Sequence, residues 1–319
     1  MNQTIFEKYT KTYGKRFTRK QKHKFEQALT LDMEEAGYKK TLIDGKRLLV
    51  LKAEDYFYGN TKRMKTVIVV PYDTPEKKFW HKVLYYPFNG TKTMNKSLVA
   101  TYVPLIILYV FILAMIYGGG HFATTPAVAN ALSLVMFVFV IFLVYMMLHG
   151  IGNKHNMTRY SGSVVAAVEL AKQLDKDEKQ RVAFLFTDKN KANFFGAKLA
   201  DDYFTKEGKN PNVICLDCLS TGSVTKIGFN PSNRKLAMEV AKEYPDHKLA
   251  IETVKLDEAA RLQTPMSYFR KAIVIASGEL DEQRQLYVLG TGTKKDSVVD
   301  EKHIDQIVKM LDSYIKNQK

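Results

Sequence analysis

Residues 66–75 read TVIVVPYDTP, from Thr66 to Pro75. Every residue from Thr66 to Val70 is β-branched, and the run stops at Pro71 and Asp73. This predicts a strand that is apolar on both faces, which belongs inside a helix-covered sheet rather than on a half-wet one. Upstream, RLLVLKA (Arg47 to Ala53) predicts a second strand, with a turn-like stretch from Tyr58 to Lys62 between the two. Residues 1–40 read as helical, with apolar positions at Phe17, Phe25, Ala28, Leu29, Leu31, Met33 and Ala36, and Gly37 as the stop.

Downstream, the pattern breaks. Between Lys96 and Lys154 there is no Lys, Arg, Asp or Glu. Two apolar runs fill this gap: Leu98 to Tyr117 (LVATYVPLIILYVFILAMIY) and Pro126 to Leu148, joined by a Gly-rich linker from Gly118 to Thr125. Roughly 20 apolar residues in a helix rising 1.5 Å each span a bilayer core of about 30 Å. A transmembrane helical hairpin over 98–149 is expected. Lys92 and Lys96 flank it on one side and Lys154 and Arg159 on the other, so the positive-inside rule puts both soluble segments in the cytoplasm of an integral protein of a bacterial-type plasma membrane. No cleavable signal peptide is expected at the charged N-terminus. The apolar runs carry no ionisable acid or base, which makes them poor candidates for an ion path.

Beyond the hairpin, helices and strands alternate. Helices are expected at Ser161 to Leu174, Phe194 to Phe204, Asn233 to Glu243 and Glu301 to Asn317. Strands are expected at Arg181 to Asp188 (RVAFLFTD), Asn212 to Leu219 (NVICLDCL) and Ala272 to Gly278 (AIVIASG). The expected fold class is α/β, a mostly parallel mixed sheet with helices on both faces, interrupted by the hairpin. Two strands alone cannot make a stable core, so residues 41–97 and 150–319 read as one discontinuous domain behind a basic arm at 1–40.

The 319 residues carry a net charge of +15. Much of it is local: Lys8, Lys11, Lys15, Arg16, Arg19, Lys20, Lys22 and Lys24 stand against Glu7 in the arm. Two readings of the arm stay open, a solvated helix face and attraction to anionic membrane lipid. No nucleic-acid module accompanies it, so no nucleic-acid partner is expected. Cys215 and Cys218 have C-x-x-C spacing, but no second pair completes a zinc site, and two buried thiols are expected. His81 and His303 read as isolated surface residues. GTGTKKD lacks the spacing of a phosphate loop, and YSGS is no nucleophile elbow.

The order of these elements resembles the di-zinc aminopeptidase (zinc exopeptidase) family from about Leu48 to the C-terminus, hairpin excluded. The family's strand ending in His-x-Asp is matched by VVPYD, and its Asp-Asn-x-Ser-Gly by Thr158 to Gly162. Its Asp-Gly-Glu-Glu is matched by Asp188 to Lys191, its strand Asp by Asp217, and its His-Thr-x-x-Asp by Gly292 to Asp296. The resemblance implies two zinc ions polarising a carbonyl and activating a water. It also implies that Pro71, Thr158, Asn190, Lys191 and Gly292 stand where metal ligands or the general base would be, leaving Asp73 and Asp217 as vestiges. Pro71 and Gly292 have no side-chain donor, Asn190 cannot take a proton, and Lys191 repels a cation. The expected function is therefore a catalytically inactive pseudopeptidase, a binding or scaffolding module for an unknown protein partner, with no cofactor. Two alternatives stand. One is a membrane-bound zinc aminopeptidase using Asp73, His155, Asp188 and Asp217; the other is a hairpin subunit of a membrane complex.

Overall fold

The computed structural model describes residues 2–47, 51–78, 83–122, 125–190, 193–244 and 250–318. In chain order come α1 (Gln3–Glu7), a π-helical turn at Lys8–Thr12, α2 (Arg19–Glu35), β1 (Lys40–Arg47), β2 (Leu51–Tyr58), β3 (Thr66–Pro71) and β4 (Leu84–Tyr85). The two long apolar helices follow, α3 (Gly90–Phe122) and α4 (Pro126–His149). A second π-helical turn at Met157–Ser161 leads into α5 (Gly162–Gln173), α6 (Lys176–Arg181), β5 (Val182–Thr187), α7 (Phe195–Lys206), β6 (Asn212–Asp217) and β7 (Val224–Phe229). The chain ends with α8 (Arg234–Lys242), β8 (Ala250–Lys255), α9 (Glu258–Leu262), β9 (Ala272–Leu280), β10 (Leu286–Leu289) and α10 (Glu301–Asn317).

Among the described residues the strands form one mixed sheet in the order β1-β2-β5-β3-β6-β9, with β7 and then β8 beyond β9, and β10 and β4 branching from its end. The β-branched run lies at the centre: β3 pairs in parallel with β5 on one side (Ile68 opposite Phe184) and β6 on the other (Ile68 opposite Ile214). Strands from before and after the apolar helices thus interleave in a single sheet. Alternate residues of β3 enter opposite cores, as a period of two requires. Ile68 and Val70 pack with α2, α5 and α10, whereas Val67 and Val69 pack with α7 and the segment around Met266 and Phe269. Burying one such side chain contributes about 1.5–3 kcal/mol.

Three expectations are corrected here. The sheet is parallel at its centre, β5-β3-β6-β9, and again between β7 and β8, whereas the β1–β2, β2–β5, β7–β9, β9–β10 and β10–β4 pairs are antiparallel. The run Arg47 to Ala53 is not one strand: β1 ends at Arg47 and β2 begins at Leu51. RLLVLKA contains no Gly, Pro, Asn or Asp to mark a reversal, so apolar composition reads straight through it. β7 was missed because VTKIGF mixes polar and apolar residues, although all six of its positions are buried.

The first forty residues, read as a basic arm, pack into the main core through Ile5, Phe6, Tyr9, Phe25, Leu29 and Met33. Much of their charge has an internal partner: Lys8 pairs with Asp32 at 2.8 Å, Lys11 with Glu7 at 2.7 Å, and Lys22 with Asp188. Lys15, Arg19, Lys20 and Lys24 remain exposed.

α3 is helical across the whole of Leu98–Tyr117, and α4 across the whole of Pro126–Leu148. Among the described residues one window is long and apolar enough to cross a membrane, Pro126–Leu143 in α4, with mean hydropathy 2.4 and none of it buried. Among the described residues of α3 the apolar stretch is the shorter Leu105–Ala114, so by length and composition one helix passes where the sequence reading expects two.

Candidate functional site

Because β5, β3, β6 and β9 run in parallel, their carboxyl ends emerge along one edge of the sheet, the edge where α/β folds place their clefts. β3 delivers Pro71, Tyr72 and Asp73 there. The Tyr72 N–H continues the ladder to the Thr187 carbonyl at 3.1 Å, which leaves Asp73 at the mouth, buried. β5 delivers Asp188 and, one turn on, Asn190. The Asn190 Nδ2 donates to Asp73 Oδ1 at 2.7 Å and to the Thr187 carbonyl at 2.9 Å, while Thr187 Oγ1 donates to Asn190 Oδ1 at 3.3 Å. With its amide committed at both ends, Asn190 acts as a donor to the carboxylate and not as a base.

Asp188 is occupied too. Its Oδ1 accepts from the Lys22 ammonium, which α2 supplies, and from the Lys189 N–H at 2.7 Å. Side chains of this pair are only 11% and 4% exposed. Burial raises the Asp188 carboxyl, and the Lys22 charge pulls it back. Beside it, Asp55 of β2 is fully buried. Its Oδ1 accepts from the Asp188 N–H at 2.7 Å, its Oδ2 has no hydrogen-bond partner, and burial pushes its carboxyl well above the usual range. The turn after β5 holds Lys189, Asn193 and Phe194 at φ of 54°, 55° and 51°, a left-handed conformation that side chains adopt at a cost and that concentrates around sites.

Arg16 enters the same edge from the N-terminal segment and is 0% exposed. Its Nε donates to the Tyr72 carbonyl at 2.5 Å, Nη1 to the Tyr13 carbonyl at 2.9 Å and Nη2 to Ser161 Oγ at 3.0 Å, with the guanidinium 4.9 Å from the Phe25 ring centroid. Burial lowers its pKa to about 10, and the Asp73 charge works in the opposite direction, so it stays charged at neutral pH.

On the β6 side, Asp217 Oδ2 accepts from the Tyr85 hydroxyl at 2.6 Å and Oδ1 from Cys218 Sγ at 3.4 Å. Burial raises this carboxyl against the Arg159 charge and the Tyr85 hydrogen bond. Asp296, at the end of the GTKKD stretch, is a fastener: it accepts from the Thr158 N–H at 2.8 Å, the Arg159 N–H at 3.3 Å and the Gly292 N–H at 3.1 Å. Burial lifts its pKa from 3.8 to about 6. Thr158 Oγ1 donates to the Val298 carbonyl at 3.0 Å. Gly292 sits at φ +77°, where a Cβ would also lie 2.9 Å from the Glu76 carbonyl oxygen, so its place is a backbone role.

Zinc does not fit this donor set. Pro71 and Gly292 offer no side-chain atom, Thr158 is engaged with backbone, Asn190 turns a donor toward Asp73, and an ammonium occupies Asp188. His155 is half-buried on the loop before Met157, and Asp73, His155, Asp188 and Asp217 do not come together as ligands: among the described residues no group of three or more His, Cys, Asp or Glu is placed to hold a metal ion. Lys191 and His81 lie outside the described residues. His303 is buried and not a surface residue; its Nε2 is 2.7 Å from Ser277 Oγ. Cys215 and Cys218 are free, buried thiols, as the sequence reading has them.

Sequence reasoning missed Lys22, Arg16, Asp55, Tyr85 and Arg159. A signal existed for Lys22: it precedes Phe25, Leu29 and Met33 at spacings of three, seven and eleven, so helical periodicity puts it on the buried face of α2. For Arg16 and Tyr85 there was none, because only the tertiary fold brings them to the edge.

No family model matches this chain, and no curated protein matches it in sequence. Solved structures do. Porphyromonas gingivalis glutaminyl cyclase superposes with a TM-score of 0.61 at 11% identity, covering 99% of this chain and 96% of that one. Bacteroides thetaiotaomicron glutaminyl cyclase bound to N-acetylhistamine gives 0.60 at 13% identity, with 99% and 96% covered. A Zn-dependent exopeptidase from Parabacteroides distasonis ATCC 8503 gives 0.58 at 11%, again with 99% and 96% covered. The chain resembles the zinc exopeptidases in fold, and at these identities the likeness speaks for the fold alone.

Proposed function

We propose that this chain is a membrane-anchored, catalytically inactive protein of zinc-exopeptidase fold that works as a binding or scaffolding module. One observation carries the reading: acids at the edge are engaged from within, Asp188 by the Lys22 ammonium and Asp73 by a hydrogen bond from the Asn190 amide. A cation already seated on a buried carboxylate competes with any metal for the same oxygens. Residues 41–97 and 150–319 then make one discontinuous domain, a reading supported by the interleaving of β3 between β5 and β6. The hairpin over 98–149 anchors it, supported by the outward-facing Ile106, Ile107, Phe137 and Val138, with Lys92, Lys96, Lys154 and Arg159 on the cytoplasmic side. The exposed Lys15, Arg19, Lys20 and Lys24 add general attraction to anionic lipid.

Full-length protein purified in detergent tests this reading against a panel of aminoacyl-naphthylamides and N-terminal glutaminyl peptides. The expected result is no turnover that o-phenanthroline abolishes and zinc restores. Such turnover, lost in Asp73→Ala or Asp217→Ala, would replace this reading with a membrane-bound zinc aminopeptidase.

A further inference from the structure

A cavity of about 440 Å³ opens on the carboxyl edge of the sheet, between the β6 side of the site and the first turns of α3. Its inner wall holds Arg159, Tyr85 and Gly292, and its outer wall Met94, Leu98 and Tyr102. Those three lie four residues apart, so one face of α3 lines the cavity. They are 55%, 41% and 54% exposed, too open for a finished core.

The Arg159 guanidinium stands 4.1 Å from the Tyr85 ring centroid and 4.9 Å from that of Tyr160. Stacking holds its face and leaves its edge, where the N–H donors are. Its Nε is buried with no hydrogen-bond partner. Asp217, whose charge acts on Arg159, already accepts from Tyr85 and Cys218. Lys78 adds a second cation to the wall. The wall's acid, Glu76, runs beside Gly150, where a Cβ would lie 2.6 Å from its Cγ.

We propose that this cavity binds the phosphate of an anionic phospholipid, with Arg159 as its ligand. A fixed guanidinium edge suits the paired oxygens of a phosphate. The occupant is a membrane lipid because of what continues outward from the cavity. Beyond Tyr102 the same side of α3 carries Ile106, Val110 and Leu113, all exposed. From Leu98 to Leu113 the helix rises about 22 Å, the reach of an acyl chain. The inference rests on the membrane anchoring proposed above.

Resistance of the full-length protein to alkaline carbonate extraction reads that anchoring separately. Native mass spectrometry of the detergent-solubilised chain, titrated with phosphatidylglycerol or phosphatidylcholine, then reads the site. The expected result is one phosphatidylglycerol held at least tenfold more tightly than phosphatidylcholine, a preference lost in Arg159→Gln. Replacing the exposed Lys15, Arg19, Lys20 and Lys24 by Gln leaves it intact. Should Arg159→Gln fail to fold, Met94→Glu places a negative charge on the open wall and is expected to lower phosphatidylglycerol binding at least tenfold. Equal binding of the two lipids, or loss of preference only in the four-fold arm variant, would overturn the proposal. Displacement of the lipid by millimolar inorganic phosphate would overturn the lipid as occupant.

Discussion

Along the carboxyl edge of the sheet, the β5–β3 side and the β6 side handle charge in opposite ways. At the first, Asp188 has the Lys22 ammonium and Asp73 the Asn190 amide, both supplied from inside the chain. At the second, the acid Asp217 is held by neutral donors, and the cation Arg159 keeps a buried Nε without an acceptor. On the first side the chain supplies a cation to Asp188, while on the second the cation itself is left one partner short. In an interior of low dielectric that difference has consequences: a satisfied pair resists any incoming ion, while an unsatisfied donor favours a ligand that completes it.

The largest effect is expected on the first side. Lys22→Ala leaves Asp188 buried without its cation, and breaking a buried pair from one end costs about 3–5 kcal/mol. Urea unfolding of the full-length chain in detergent should read that loss, and Lys22→Met combined with Asp188→Asn should recover most of it. A Lys22→Ala protein within about 1 kcal/mol of the parent would mean that the pair is a surface ornament of the kind that contributes little.

Asp296 sharpens the comparison, since it fastens the β6 side. Its pKa is raised by burial from 3.8 to about 6, so the folded state binds a proton that the unfolded state has released. Its favourable contribution is present below pH about 4 and is lost as pH rises to about 6, roughly 3 kcal/mol across the window. Other buried acids titrate nearby, so the measurement is a difference. The slope of stability against pH between 4 and 6 should be less negative in Asp296→Asn than in the parent. An unchanged slope would mean that Asp296 is ionised in the folded protein throughout.

A smaller effect belongs to Asn190. Asn190→Ala removes the donor to Asp73 and leaves a buried acceptor, a cost of about 1–3 kcal/mol by the same unfolding assay. A neutral result would show that water replaces the amide and that the β3 end of the edge is more open than the contact suggests.

The central parallel strands were legible because β3, β5, β6 and β9 are apolar on both faces, and α10 because its pattern of Ile304, Ile307, Val308, Leu311 and Ile315 is plainly helical. The division between β1 and β2 was not, since RLLVLKA, which holds the end of one and the start of the other, has no turn residue, and β7 hides buried Thr225 and Lys226 behind a polar pattern. At the site, the absence of a carboxylate or imidazole at Pro71, Asn190 and Gly292 could be read position by position. The partner of Asp188 could not be read that way. The cation on Asp188 comes from α2, 166 positions away along the chain. Its place on the buried face of α2 was in the spacing all along, but a run crowded with lysines offers no reason to single out one.

The most direct test is the zinc content of full-length protein purified without chelator and dialysed against micromolar zinc. The account expects well under one zinc per chain, unchanged in Asp73→Ala. A content of about two per chain that falls in Asp73→Ala and Asp188→Ala would match a two-metal site and contradict it.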